Sequence, residues 1–130
     1  MAMAARTDGT GRVLILGLDP QTIPGVDAQK IRGDLTRGLA EFEGSSLAAD
    51  QALIPLDDSA EAEVAGSLQR ARYDCVVVGG GIRKPEPLLE FFETVINLIR
   101  RHVPQAVIAF NSDGTNSLAA AERALAAHRD

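Results

Sequence analysis

The chain of 130 residues has a hydrophobic content of 45%, which fits one folded domain and excludes wholesale disorder. Its formal net charge of −5 argues against a nucleic-acid partner, because a protein that binds phosphate backbones needs a basic face. The single cysteine, Cys75, cannot form an intrachain disulfide, and no apolar run approaches the roughly 20 residues that span a bilayer, so we expect a cytoplasmic protein with no membrane partner.

The N-terminal part of the chain predicts an arm, a buried strand and a helix. Residues 1–11 are small and polar and lack the apolar core of a signal peptide, which predicts a mobile arm before a single domain at 12–130. Residues 13–18 form a continuous apolar run, typical of a central parallel strand. Asp27 is a candidate N-cap for a helix, in which Gly38 lies on the apolar side and indicates close packing on the sheet. The apolar stripe of this helix is Ile31, Leu35, Leu39 and Phe42.

A second strand is predicted at residues 52–56. Pro55 lies inside this run, and a missing N–H is tolerated at the edge of a sheet, so we place the strand there. Asp58 is a candidate N-cap for the next helix, and Glu61 three residues later completes a capping box.

The C-terminal half predicts two more strands, each followed by a helix. Residues 75–78 are wholly apolar and predict the second central strand. Three glycines follow, and Pro85 suits the first turn of a long helix that ends near His102. Residues 107–110 predict the fourth strand, and a short helix rich in alanine closes the chain.

The alternation of strands and helices predicts an α/β fold with parallel strands joined by helical crossovers. Because the first and third strands are the most apolar, we expect the order 2-1-3-4. Helices on both faces then give a three-layer sandwich, flavodoxin-like but with one strand fewer.

Ligands of open parallel sheets bind beyond the carboxyl ends of the strands, where the strand order reverses. Here the loops that reach this point are rich in glycine and charge, which predicts a pocket for a small anionic ligand such as a phosphate or carboxylate. The opposing interpretation is a tight turn with two solvated cations. The predicted ligand-binding residues are Asp19, Gly79, Gly80, Gly81, Arg83, Lys84 and Asn111.

No catalytic residue and no cofactor follow from the sequence. Carboxylates such as Asp19 and Asp113 suit Mg²⁺, but Asp57 and Asp58 are better explained as helix caps, so no metal site is predicted. The two histidines, His102 and His128, lie near helix C-termini, away from the expected pocket. Whether the protein is an enzyme therefore stays open.

One further pattern is a resemblance. Residues 74–83, together with Phe91, Phe92, Glu93, Asn97, Pro104 and residues 109–111, resemble a group of small uncharacterised bacterial α/β proteins of flavodoxin-like type, and residues 13–20 fit the same pattern. The group has no established activity, so the resemblance transfers no catalytic residue. It implies only that Arg83, Glu93, Asn97 and Asn111 merit testing.

A different class of function is assembly. The predicted third helix is apolar over about half its circumference, more than packing on a sheet requires. Phe91 and Leu98 lie at the margin of this stripe, and the fourth strand has neither proline nor charge to protect its edge. The alternative prediction is a non-catalytic homodimeric interaction domain, which pairs through the third helix or the fourth-strand edge.

Overall fold

Four parallel strands form one sheet in the computed structural model, which describes residues 11–128. The order is β2-β1-β3-β4, as predicted, and every neighbouring pair is parallel. The arm predicted at 1–11 lies outside the described residues except for Gly11, which is the first residue of β1. The strands are β1 (Gly11–Leu18), β2 (Leu47–Ile54), β3 (Cys75–Val78) and β4 (Val107–Phe110).

Helices cover both faces of the sheet and give the predicted α/β architecture of flavodoxin-like topology. One face packs against α2 and α4, and the other against α1 and α5. Short 3-10 turns lie at Pro20–Thr22, Glu41–Gly44 and Glu86–Leu88. The helices are α1 (Ala28–Ala40), α2 (Ala60–Leu68), α3 (Gly80–Arg83), α4 (Leu89–His102) and α5 (Ser117–His128).

The core is centred on β1 and β3, because their side chains are buried on both faces. Leu14 and Val76 point into the layer of α2 and α4, whereas Val13 and Val77 point into the layer of α1 and α5. All four side chains are fully buried. Each contributes roughly 1.5–3 kcal/mol to stability by leaving water, which explains why continuous apolar runs occupy the two central strands.

A step in strand length marks the carboxyl end of the sheet. β3 pairs with β1 only up to Leu16, where its partner is Val78, while β1 continues to Leu18 beside β2. The chain leaves β3 at Gly79, whose amide donates to the Leu16 carbonyl at 2.8 Å. Two residues of a strand span about 7 Å, so β1 and β2 project beyond β3 by that length.

The second strand is longer than predicted and lies earlier in the chain. It begins at Leu47, whereas residues 52–56 were expected, and Pro55 lies just after it. The edge position is confirmed, but the argument from a proline inside the strand was wrong. Asp50 and Gln51 interrupt the apolar pattern because this edge strand is only partly covered, and this interruption hid its first half.

The long helix predicted from Pro85 to His102 is divided. A single helical turn, α3, precedes Pro85, a 3-10 turn follows it, and α4 begins only at Leu89. Pro85 and Pro87 explain the break, since a proline inside a helix removes a backbone hydrogen bond and its ring clashes with the carbonyl four residues earlier. The backbone becomes extended at Pro85 itself, with a ψ of 124°.

Of three predicted helix features, one is confirmed, one is confirmed in part and one is wrong. Asp27 caps α1 by accepting the Lys30 amide at 3.1 Å. Gly38 is a point of close packing, but against the loop after β4, since an added Cβ would lie 2.0 Å from the Gly114 carbonyl oxygen. The capping box at Asp58 does not form, because α2 begins at Ala60 and Ser59 occupies the N-cap position.

Candidate functional site

A cleft of about 340 Å³ lies where the carboxyl ends of β1 and β3 meet. This is the point at which the strand order reverses, the usual ligand site of an open parallel sheet. The step between the two strands provides its base, because Gly17 and Leu18 extend beyond the end of β3. The lining comprises Gly17, Leu18, Ile23, Ile31, Asp34, Leu35, Gly79, Gly80, Gly81, Lys84, Asn111, Ser112, Asp113 and Gly114.

The three predicted glycines line the cleft, but they form a helical turn and not a strained loop. Their φ angles are not positive, so the backbone alone does not require glycine there. Gly79 is needed for packing, because an added Cβ would lie 3.0 Å from the Leu16 carbonyl oxygen. At Gly81 an added Cβ would meet no atom within 4 Å, so neither packing nor backbone geometry explains this glycine.

Asn111 lines the cleft and joins three elements. Its side chain is buried, its Oδ1 accepts the Gly80 amide at 3.0 Å, and its Nδ2 donates to the Ser117 hydroxyl at 3.0 Å. These bonds hold α3 and the start of α5 against the end of β4. Asn111 therefore positions the wall of the cleft, and its amide group is already occupied by protein partners.

Of the two cationic residues predicted at the site, Lys84 lines the cleft and Arg83 does not. The guanidinium of Arg83 donates to the Asn111 carbonyl and lies 5.1 Å from the centre of the Phe110 ring, outside the cleft lining. Lys84 lines the cleft, and its Nζ donates to the Ser112 carbonyl at 2.6 Å. Lys84 is thus the cation that can reach a molecule in the cleft, whereas Arg83 holds α3 to β4.

Asp19 also lies outside the cleft lining. Its Oδ1 accepts the Gln21 amide at 3.0 Å, and Arg32 of α1 donates to the same oxygen at 3.2 Å. The carboxylate thereby caps the 3-10 turn after β1 and joins it to α1. Its position directly after a buried strand is explained by this capping.

Sequence reasoning missed the contribution of α1, and it weighed Asp113 as a possible Mg²⁺ ligand without including it among the predicted ligand-binding residues. Ile31 and Leu35 of α1 line the cleft and supply apolar surface to it. Hydrogen bonds from the Thr115 hydroxyl and amide, helped by the charge of Lys84, hold the pKa of Asp113 below its ordinary value. The sequence signal for the contribution of α1 was the position of Ile31, which lies in the first turn of this helix. That helix begins at the carboxyl edge of the sheet.

The residues that the resemblance selected do not form one site. Arg83 and Asn111 lie at the end of β4, whereas Glu93 and Asn97 lie on α4, where Asn97 donates to the Glu93 carbonyl at 2.9 Å. Glu93 and Asn97 border an open groove of about 550 Å³ between α2 and α4. Other residues along this groove are Glu61, Glu90, Thr94, Leu98 and Arg101.

Other candidate chemistries find no support within residues 11–128. Burial raises the pKa of the Cys75 thiol to about 12, and the charge of Asp74 adds to this, so the thiolate that a nucleophile requires is disfavoured. No three His, Cys, Asp or Glu side chains of this part of the chain converge as metal ligands. The helices described there are too short or too polar to cross a membrane.

The expected assembly surface changes in detail. Leu98 was predicted at the margin of an apolar stripe, but it is buried in the core, and Phe91 packs against the same core. The exposed large apolar side chains include Leu89 at the start of α4, 54% exposed, and Phe110 at the end of edge strand β4, 40% exposed. Of the residues considered, Phe110 at the strand edge is exposed, whereas Leu98 is not.

Comparison with known proteins identifies no relative. The sequence matches no protein-family model, and no curated protein is significantly similar to it.

Proposed function

We propose that the protein binds a small metabolite that carries a carboxylate or phosphate group in the cleft between β1 and β3. The observation that carries this proposal is the position of Lys84 on the lining of a preformed cleft at the strand-order reversal. In the part of the chain described here, Lys84 is the one cationic side chain of that lining.

Lys84 retains hydrogen-bonding capacity for a ligand. Its ammonium group has three protons, and the Ser112 carbonyl accepts one of them. That bond fixes the side chain along the rim of the cleft, which reduces the conformational entropy lost on binding. Gly80 supports the same proposal, because a Cβ there would lie 3.1 Å from the Lys84 side chain, so the glycine leaves room for Lys84 at the cleft.

The volume of the cleft limits the ligand to a small molecule. At about 340 Å³ it lies at the lower end of the range of roughly 300–1,000 Å³ that is typical of ligand pockets. The mixture of apolar side chains with a few polar groups is also typical of such sites.

The test is a titration of ¹⁵N-labelled protein with inorganic phosphate, acetate, 4-methylpentanoate and a nucleoside monophosphate. We expect at least one probe to shift the amides of residues 79–84 and 112–114 in a saturable way. Lys84→Gln should weaken that binding about tenfold or more, because a hydrogen bond to a charged group is worth about 1.5–3 kcal/mol.

The matched control is Arg72→Gln, which removes one positive charge from an exposed residue before β3, at the opposite end of the sheet. It should leave the affinity unchanged. Spectra that respond neither to these four probes nor to a carboxylate-bearing zwitterion such as L-leucine, or an equal loss of affinity in both variants, would contradict the proposal.

A homodimer is the second candidate function, and the exposure of Phe110 favours it. Phe110 ends an edge strand, and its ring packs edge-to-face on Phe92 of α4 at 5.9 Å, so the two aromatic side chains form a continuous surface. Light scattering at high micromolar concentration should then give twice the monomer mass, and Phe110→Asp should halve it. A monomeric wild-type protein under these conditions rules this candidate out.

A further inference from the structure

Three charged side chains line the cleft, and one of them is neutralised by its neighbours. Asp34 accepts from the Lys30 ammonium at 3.3 Å through one oxygen and from the Arg37 guanidinium through the other. Both carboxylate oxygens are thus occupied by α1 itself. The charges left for a ligand are Lys84 and Asp113.

Lys84 and Asp113 have opposite charges but form no ion pair with each other. The ammonium of Lys84 is held by the Ser112 carbonyl. The Oδ1 atom of Asp113 accepts the Thr115 amide at 2.7 Å and the Thr115 hydroxyl. Its Oδ2 accepts no hydrogen bond from residues 11–128, so one positive and one negative group stay available on the same wall.

Four other side chains of the lining form a mostly apolar wall, in which Asp34 is the charged side chain. Ile31 and Leu35 of α1 face the cleft, together with Leu18 and Ile23 around the end of β1. An anion without a positive group would place its charge near the carboxylate of Asp113 and gain little from this wall. A small zwitterion with an apolar substituent matches all three features.

We infer that the cleft binds a free α-amino acid with an apolar side chain, its carboxylate on Lys84, its ammonium group on Asp113 and its side chain against Ile31 and Leu35. This inference rests on the proposed function, because it specifies which carboxylate-bearing metabolite the cleft accepts. The ligand pairs both charges at once, and neither Lys84 nor Asp113 loses its protein contact.

The experiment compares L-leucine with two analogues that each lack one charged group. The analogue 4-methylpentanoate lacks the amine, and 3-methylbutylamine lacks the carboxylate. Titrations followed by the amide shifts of residues 79–84 and 112–114 should give an affinity for leucine at least tenfold higher than for either analogue.

Two variants assign the two contacts. Asp113→Asn keeps the Oδ1 acceptor for Thr115 and so preserves the loop, but it should lower the leucine affinity at least tenfold, to that of 4-methylpentanoate. Lys84→Gln should lower the affinity for leucine to the affinity of the wild type for 3-methylbutylamine. Asp58→Asn, which removes a carboxylate from the loop between β2 and α2, should change nothing.

The outcomes separate the two proposals. If 4-methylpentanoate or phosphate binds at least as tightly as leucine and Lys84→Gln weakens it, the amino-acid inference is overturned and the proposed function stands. If leucine and all of the other probes leave the cleft amides unshifted, both are overturned. A leucine preference that Asp113→Asn does not reduce also overturns the inference.

Discussion

The amino end of the sheet and the rim of the cleft differ in how their charged side chains are paired. At the amino end, Asp50 of β2 accepts the hydroxyl of the fully buried Tyr73 at 2.8 Å and two hydrogen bonds from Arg12 of β1, at 2.9 and 3.1 Å. The guanidinium of Arg12 holds the pKa of Asp50 below its usual range. At the carboxyl end, Lys84 and Asp113 lie on one wall without pairing.

This contrast separates a structural role from a binding role. Where each polar group has its partner within the chain, the group contributes to stability and offers nothing to a ligand. Where a charged group is fixed in place but keeps a free donor or acceptor, it is preorganised for a ligand. We therefore expect substitutions at the amino end to change stability and substitutions at the rim of the cleft to change binding.

The largest expected effect on stability comes from the contact between α1 and the loop after β4, near the cleft. Gly38→Ala places a methyl group 2.0 Å from the Gly114 carbonyl oxygen, so α1 or the loop after β4 must move. We expect a loss of about 3 kcal/mol in the free energy of unfolding, the upper part of the usual range for overpacking. Urea denaturation measures it.

Gly33→Ala is the matched control in the same helix. Its Cβ would lie 3.5 Å from the Arg37 side chain, an ordinary contact. Alanine is the better helix former, so this variant should gain up to about 1 kcal/mol. If both variants lose the same stability, the contact between Gly38 and Gly114 does not determine how α1 packs.

Tyr73→Phe tests the amino end with the next largest effect. The substitution removes the hydrogen bond to Asp50 and leaves that carboxylate with Arg12. We expect a loss of about 1 kcal/mol in the free energy of unfolding, the typical value of one hydrogen bond. A variant as stable as the wild type would show that the polar group at this end is not stabilising.

For the same variant, we expect the difference in stability from the wild type to depend on pH in alkaline solution. Burial, reinforced by the hydrogen bond to Asp50, raises the pKa of Tyr73 from 10.0 to about 12. Above pH 10 the unfolded chain loses this proton first, so the contribution of Tyr73 to stability is complete below pH 10 and is lost as the pH rises towards 12. The stability advantage of the wild type over Tyr73→Phe should narrow across that window.

The smallest effect on stability is expected at the rim of the cleft. Lys84→Gln and Asp113→Asn alter exposed groups, and each should change the free energy of unfolding by less than about 0.5 kcal/mol. A loss as large as that of Tyr73→Phe would remove the distinction between the two ends of the sheet.

The strand order followed from the sequence because burial of β1 and β3 on both faces is visible as unbroken apolar runs. The first half of β2 could not be predicted, since Asp50 reads as a break until its partners Arg12 and Tyr73 are known. The division between α3 and α4 was visible in Pro85 and Pro87, and the prediction gave these residues too little weight.

The position of the cleft followed from the sequence, whereas its lining followed only in part. The glycines, Lys84 and Asn111 line the cleft because loops after neighbouring parallel strands must meet. Arg83 and Asp19 lie outside it, because contacts with Phe110 and Arg32 hold them there. Both partners are distant in the chain, so the sequence does not reveal these contacts. No local pattern shows which cation is held by such contacts and which stays at the rim.

The difference in length between β1 and β3 has a consequence for how this fold can diversify. The cleft exists because β3 stops two residues before β1, and this difference is a property of the main chain. Exchange of the side chains around the cleft would alter its shape and charge and leave this step in the main chain in place. For protein engineering, Ile31, Leu35, Lys84 and Asp113 are four such positions.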